Sequence, residues 1–294
     1  MLDIKFIRDN LDIVKMAAVK KKIKIDLDRL ISVDNVRREL MTSLETKKAE
    51  QNKVSTEIAG ASDATVRAQL ITEMQALKTE MQADEEKIKP VLEEWQALML
   101  QVPNVPDMSV PDGDSDADNE EVKVWGEKPN FAFTPKDHVE LMTKLKMVDF
   151  ERGTKVHGFR GYYLINDGAR LSWAIWNYAN AFWNNKGYSP MLGPTIVRKS
   201  NLYGTGHLPN DAEDVYHTQD EDYLIGTSEV STMGYYADDI LEESQFPIKH
   251  IAFSPCYRRE AGSHGKDTKG LIRVHEFYKV EQVVLCEASH ETSV

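Results

Sequence analysis

Between residues 26 and 59 the chain contains neither proline nor glycine, and such a stretch can run as one unbroken helix. Leu30, Val33, Val36, Leu40, Leu44, Val54 and Ile58 recur along it at steps of three and four, with a polar gap between Leu44 and Val54. That spacing lines an apolar stripe along one side of a helix. Gly60-Ala61-Ser62-Asp63 then reads as stop and restart, the glycine closing one helix and Ser or Asp capping the next. A second stripe follows in Val66, Leu70, Met74, Leu77, Met81, Ile88, Val91, Trp95 and Leu98, with Pro90 inside it, where a kink or a lost hydrogen bond is expected. Two narrow stripes joined by a tight turn can cover each other as an antiparallel hairpin, about 50 Å long at 1.5 Å per residue. A helical bundle or a dimerisation rod suits the same periodicity, and periodicity by itself favours those.

A chain of 294 residues can hold two domains, each with its own core. No apolar run approaches the ~20 residues of a membrane helix, and the first residues, Met1-Leu2-Asp3-Ile4-Lys5, lack the basic-then-apolar pattern of a signal peptide. Cys256 and Cys286 are the two cysteines. They offer neither metal-type spacing nor a disulfide framework, so the cytoplasm is the expected compartment. The net charge of −12 argues against a nucleic-acid partner, but its distribution weakens the argument. Residues 107–121 hold seven acids and no base; without them the balance is −5. Lys20, Lys21, Lys22 and Lys24 form a local basic run, and Arg37, Arg38, Lys47, Lys48 and Lys53 dot the following helix. RNA binding depends on a local patch, although solvated helix faces also account for isolated lysines.

Pro103, Pro106 and Pro111 end the helical pattern and open an acidic linker with almost nothing to bury. The expected division is 1–106, a helical arm; 107–124, the linker; and 125–294, a mixed α+β domain. In that domain residues 171–185 read as an aromatic-rich amphipathic helix, and an extended segment runs through 187–197. Residues 222–225, 250–253 and 277–286 read as further strands.

The chemistry concentrates in residues 254–282, SPCYRREAGSHGKDTKGLIRVHEFYKVEQ. One strand is expected to end in Arg258-Arg259-Glu260, and a glycine-bearing loop, 261–270, follows. A second strand is expected to carry Arg273, His275, Phe277, Lys279 and Glu281 on one face by alternation. Arginine forks can hold phosphate oxygens, Phe277 can stack a purine, and Glu281 can accept hydrogen bonds from an amine or hydroxyl. An amphipathic hairpin with cross-strand ion pairs accounts for the same residues.

Arg258-x-Glu260, a loop, then Arg273-x-x-x-Phe277 is similar to motif 2 of the class II aminoacyl-tRNA synthetases. The longer string REAGSHGKDTKGLIRVHEFYKVEQ resembles the seryl type in particular, and a match of that length is far more specific than a short motif. Residues 187–199 resemble motif 1, with Pro194 at the expected place. Residues 203–209, YGTGHLP, resemble a family loop usually reading GTGQLP; here His207 replaces glutamine and Asn210-Asp211 a common Lys-Phe. Residues 224–230, LIGTSEV, resemble the TxE element that receives the amino acid, with Gly226 and Ser228 where many bacterial members have Pro and Ala. The beginning MLDIKFIRDN and the long hairpin resemble the family's tRNA-binding arm, which threonyl and prolyl relatives lack, as do short synthetase-like proteins that charge carrier proteins.

The resemblance implies an α+β protein: an antiparallel two-helix coiled-coil arm and a partial class II antiparallel-sheet catalytic domain. It implies serine–tRNA ligase activity, in which L-serine and ATP give seryl-adenylate and the seryl group passes to tRNA(Ser). A catalytically inactive tRNA-binding or dimerising fragment is the alternative. By the same resemblance Arg258 is catalytic, bridging the serine carboxylate and the α-phosphate. Arg258, Arg259, Glu260, Arg273 and Phe277 bind ATP with Mg2+: Glu260 at the adenine amino group, Phe277 on the ring, Arg273 at the distal phosphates. Thr227, Ser228, Glu229, Arg258 and Glu281 bind serine, and Pro194 lies in a homodimer interface. Metal-ligating side chains are not identified; His275 is structural, and Cys256 and Cys286 are core residues. The family also needs a third motif, and nothing like Gly-x-Gly-x-Arg follows Glu281. The expectation is a chain truncated before motif 3, an unpaired strand edge at 280–286, a helix cut short over 288–294, and little activity alone.

Overall fold

The structure is a computed structural model that describes residues 2–261, 269–289 and 292. Most of the motif 2 loop and all but a few residues of the expected terminal helix lie outside these. The chain forms two compact units, residues 1–126 and 127–294.

In the first unit, α1 (Ile4–Asp9) and α2 (Leu11–Lys20) precede two long helices, α3 (Leu27–Gly60) and α4 (Ala64–Met99). Asp26 caps α3 by accepting from Arg29 N at 2.8 Å, and Asp63 caps α4 by accepting from Thr65 N and Val66 N. These caps satisfy amides that a helix start leaves unpaired. Gly60 differs from its expected role. It is the last helical residue, and the chain leaves through an extended Ala61 at φ −71°, so no left-handed glycine closes the helix. Pro90 lies inside α4 and removes one rung of its ladder without ending it.

The stripes meet as an antiparallel hairpin. Leu44, Leu77, Met81 and Ile88 form its buried seam, with Leu40 against them, each such side chain worth ~1.5–3 kcal/mol when fully buried. The polar gap is not idle. Lys47 spans it to Asp84 at 2.8 Å and Glu80 at 3.3 Å, and Ser43 donates to Asp84 at 3.0 Å. At the hairpin base Ile7, Val14, Leu27, Leu30, Met99 and Val102 form a second core. Beside it Asp34 is fully buried, paired with Arg8 at 3.0 Å and Arg37 at 2.7 Å, and Arg37 lies 4.6 Å from the Trp95 ring centroid. Residues 110–118 are not a bare linker. Lys20 pairs with Asp112 at 3.3 Å; Lys22 pairs with Asp114 and donates to Gly113 O at 3.0 Å. Asp118 closes the turn by accepting from Asp114 N and Ser115 N.

The second unit is built on a three-stranded sheet in the order β3 (Ser189–Met191), β6 (Ile248–Tyr257), β7 (Glu276–Leu285). β6 and β7 pair antiparallel over ten residues, from Ile248↔Leu285 to Tyr257↔Glu276, and β3 runs parallel to β6. Two short antiparallel pairs flank it: β1 (Val148–Asp149) with β2 (Tyr163–Leu164), and β4 (Ile196–Val197) with β5 (Tyr223–Leu224). The helices are α5 (His138–Lys144), α6 (Phe150–His157), α7 (Asp167–Asn184), α8 (Lys199–Gly204) and α9 (Glu229–Tyr235). α7 covers one face of the sheet, with Trp176 against Phe253 and Tyr278 at centroid distances of 5.1 and 4.8 Å. α6 approaches the turn after it so closely that a Cβ on Gly153 would stand 2.3 Å from the Tyr162 backbone, which only glycine allows.

Candidate active site

The free face of the sheet carries the odd-numbered side chains of β7, and the register sets small residues opposite them. Phe277 faces Cys256, Lys279 faces Ser254 and Glu281 faces Ala252. All three small partners are buried. A floor of Ala, Ser and Cys leaves the volume above the sheet to the larger side chains of β7 and the segment 226–229. This signal, small residues alternating along 252–256, was present in the sequence.

Glu281 is the centre of the site. Its Oε2 accepts from Thr227 Oγ1 at 2.5 Å, Ser228 Oγ at 2.8 Å and Glu229 N at 3.1 Å. Its Oε1 accepts from Lys279 Nζ at 2.9 Å. Burial alone would raise its pKa; hydrogen bonds from Thr227, Lys279 and Ser228 outweigh it and hold the carboxyl down at about 2. It is therefore an anion ringed by donors.

Gly226, next to Thr227, supplies the link to the arginine. Its carbonyl accepts from Arg258 Nε and Arg258 NH2, both at 3.3 Å, while the guanidinium carbon lies 5.3 Å from the Phe277 ring centroid. A Cβ at Gly226 would meet Arg258 Nε at 3.5 Å, an ordinary contact, so the glycine is not sterically required. Arg258 and Arg259 are exposed.

The ends of both strands differ from expectation. β6 stops at Tyr257 and β7 starts at Glu276, so Arg258-Arg259-Glu260, Arg273 and His275 lie beyond the ladder. One further bond, Arg258 N to His275 O at 2.9 Å, extends it, after which Arg259 N turns to Asp214 O. Asp214 also accepts from Ala261 N at 2.6 Å. Held on both sides, Glu260 adopts a left-handed φ of 55°, a conformation costly for a residue with a Cβ, and its carboxylate pairs with Arg273. Asp214 was not singled out in the sequence; nothing marks it within a run of acids. His275 bonds Arg258 O through Nδ1 at 3.0 Å.

Thr227 and Ser228 are thus gathered on Glu281, whereas Glu229 reaches it only through its amide. Its carboxylate is exposed, because Glu229 opens α9 and its first-turn N–H points back at the site. Pro194 is exposed between β3 and β4, outside the cluster. Cys256 is buried, and burial pushes its thiol pKa up, in keeping with a core residue.

Residues 1–106 match the family model of the seryl-tRNA synthetase N-terminal domain. Residues 214–294 match that of the tRNA synthetase class II core domain (G, H, P, S and T). The chain is 41% identical to a serine–tRNA ligase of Trichlorobacter lovleyi, over 96% of this chain and 67% of the relative. It is 40% identical to one of Staphylococcus haemolyticus, with 96% and 67% covered. The fold is similar to seryl-tRNA synthetase from Pyrococcus horikoshii complexed with ATP, at TM-score 0.79 and 31% identity, covering 97% of this chain and 69% of that one. Cytoplasmic serine–tRNA ligase from Naegleria fowleri in complex with AMP gives 0.78 at 30% identity, covering 100% and 68%. The chain therefore spans about two thirds of the length of these proteins.

Proposed function

Because the chain belongs to the seryl-tRNA synthetase family, we propose that it activates L-serine with ATP and serves the charging of tRNA(Ser). The observation that carries this reading is the adjacency of an anion-binding and an amine-binding group. Gly226 O holds Arg258 while the hydroxyl of the next residue, Thr227, reaches Glu281. A zwitterion needs both: a cation for its carboxylate and an anion for its ammonium.

In the first step a serine carboxylate oxygen attacks the α-phosphorus of ATP, and pyrophosphate leaves with the electron pair of the broken P–O bond. Two anions must approach, so Arg258 serves by bridging them. Its present bonds to Gly226 O are long at 3.3 Å and are readily exchanged for shorter charge-assisted ones. Phe277 offers its ring to the adenine, with Arg259 at its edge. Glu260 and Arg273, paired with each other here, take the adenine amino group and the distal phosphates. Thr227, Ser228 and Glu281 receive the ammonium and hydroxyl, and Glu229 contributes through its amide. Positioning and charge neutralisation supply most of the rate. Mg2+ enters with ATP as part of the substrate; among the described residues no group of three His, Cys, Asp or Glu is gathered to hold it. In the second step a terminal ribose hydroxyl of tRNA attacks the seryl carbonyl and AMP leaves.

The α3–α4 hairpin, within residues 1–106, is the tRNA-binding arm of this reading, and residues 127–294 hold the catalytic unit. A homodimer is supported by Leu171, Ile175, Tyr178 and Phe182, an exposed apolar stripe along α7, with Pro194 nearby in sequence. No described helix is long and apolar enough to cross a membrane, and we assign the protein to the cytoplasm, where charging occurs. The test is amino-acid-dependent ATP–pyrophosphate exchange with serine, threonine and alanine. Serine should drive it best, and a pocket built around a substrate hydroxyl should reject alanine by up to ~10⁴–10⁵. Exchange driven best by threonine or alanine, or none at all, would overturn the assignment.

A further inference from the structure

Lys279 has no role in the reading so far, yet it stands in the middle of the site face. Its Nζ donates to Thr227 Oγ1 at 2.8 Å and to Glu281 Oε1 at 2.9 Å. An ammonium can only donate, so the Thr227 oxygen must accept from it. The single hydroxyl proton of Thr227 is then directed to Glu281 Oε2, 2.5 Å away. Oε2 receives two more donors, from Ser228 and Glu229, whereas Oε1 receives Lys279. Acceptor capacity therefore remains on two atoms, Glu281 Oε1 and Thr227 Oγ1.

We infer that Lys279 is a positioning residue of the amino-acid pocket. Its two hydrogen bonds turn the Thr227 proton away from the incoming ligand and leave Thr227 Oγ1 and Glu281 Oε1 as paired acceptors for an ammonium and a hydroxyl. This rests on the serine-pocket reading above. Without Lys279 the Thr227 hydroxyl keeps only its bond to Glu281 Oε2, and its proton is less firmly turned from an ammonium that has only protons to offer. Glu281 also loses its cationic partner. Among the described residues the titratable groups beside Glu281 are Lys279 on its own strand, Cys256 on β6 and Glu229 at the start of α9. Burial raises the Cys256 pKa, and the Glu229 carboxylate is exposed. Lys279 is thus the charged side chain bonded directly to Glu281 among the described residues.

The inference is tested in the full chain with Lys279→Met, Lys279→Arg and Lys279→Gln. Two readouts are needed: serine binding by calorimetry across the acid range, and titration of the Glu281 carboxyl by ¹³C NMR without ligand. Lys279→Met should weaken serine about tenfold or more, the effect of losing a charged hydrogen-bond donor. Its Glu281 titration, and with it the acid limit of serine binding, should move up by roughly a pH unit or more. Lys279→Arg, which keeps charge and donors, should recover most of both. Unchanged binding and titration in Lys279→Met would overturn the inference, as would an arginine variant as impaired as the methionine one. If Lys279→Met does not fold, Lys279→Gln takes its place: loss of charge should still raise the Glu281 titration, and no rise overturns the role. A wild-type chain that binds no serine would refute the pocket reading alone, while the unliganded titration still decides what Lys279 does.

Discussion

Arg258 is held between two weak partners, a carbonyl at 3.3 Å and the Phe277 ring, over which its guanidinium lies. Neither satisfies a guanidinium as an anion would, which suits the bridging role proposed for it. Arg258→Ala should therefore lower adenylate formation by about 10²–10³, or ~3–4 kcal/mol, as for other preorganised contacts to developing charge. Single-turnover adenylate formation measures this, and unchanged kinetics in an active enzyme would remove Arg258 from the mechanism. Glu281 makes a prediction of different kind. Its folded-state pKa of about 2 lies below the ordinary 4.5, so the stabilisation it gives is complete above pH 4.5 and is lost as pH falls toward 2. Glu281→Gln should flatten that part of the acid-unfolding curve; a variant with the wild-type profile would mean the donor ring contributes nothing. Of these residues the sequence announced Arg258, Phe277 and Glu281 through motif and alternation. It was silent on Asp214 and on the function of Lys279, because both act through hydrogen-bond partners 47 and 52 residues away.

At the scale of elements, legibility followed the range of the forces involved. α3 and α4 come from local periodicity and local caps, and their observed limits fall close to those the stripes imply. The ends of β6 and β7 do not, because the ladder stops where Arg259 N is drawn to Asp214, a contact no local pattern encodes. Likewise Asp34 sits at a position where α3 alternates polar and apolar residues, and nothing local reveals that it is buried under Arg8 and Arg37. Removing its carboxylate leaves two part-buried arginines without their shared anion. Asp34→Ala should cost about 3–5 kcal/mol, the usual consequence of breaking a buried pair from one side. Urea unfolding of the arm unit's helical signal reads this directly, and a loss under about 1 kcal/mol would show a pair that behaves like a surface one.

On the scale of the whole molecule, the proposed homodimer rests on α7, where Ile175 at 56% and Tyr178 at 72% exposure share one stripe, the kind of apolar surface that marks an interaction site. Ile175→Asp with Tyr178→Asp should shift the sedimentation profile toward monomer, and a wild-type profile would relocate the interface. The acidic turn at 112–118 has a wider consequence. By pairing with Lys20 and Lys22 it acts as a resident counterion. When RNA phosphates displace mobile cations, each released ion adds entropy, and affinity falls with salt at a slope of about −0.9 per contact on duplex. Where phosphates displace Asp112 and Asp114, the cation each phosphate sheds is offset by one drawn to the freed carboxylate, so one covalently tethered anion is exchanged for another with little net ion release. Lysines guarded in this way contribute little to the salt slope and little to indiscriminate RNA binding. Asp112→Asn with Asp114→Asn should therefore steepen the plot of log affinity against log salt by up to about two and tighten binding to unrelated RNA. An unchanged slope would mean that this basic turn never meets a phosphate. The net negative charge, which at first argues against an RNA partner, becomes in these terms a filter on which RNA is worth displacing it for.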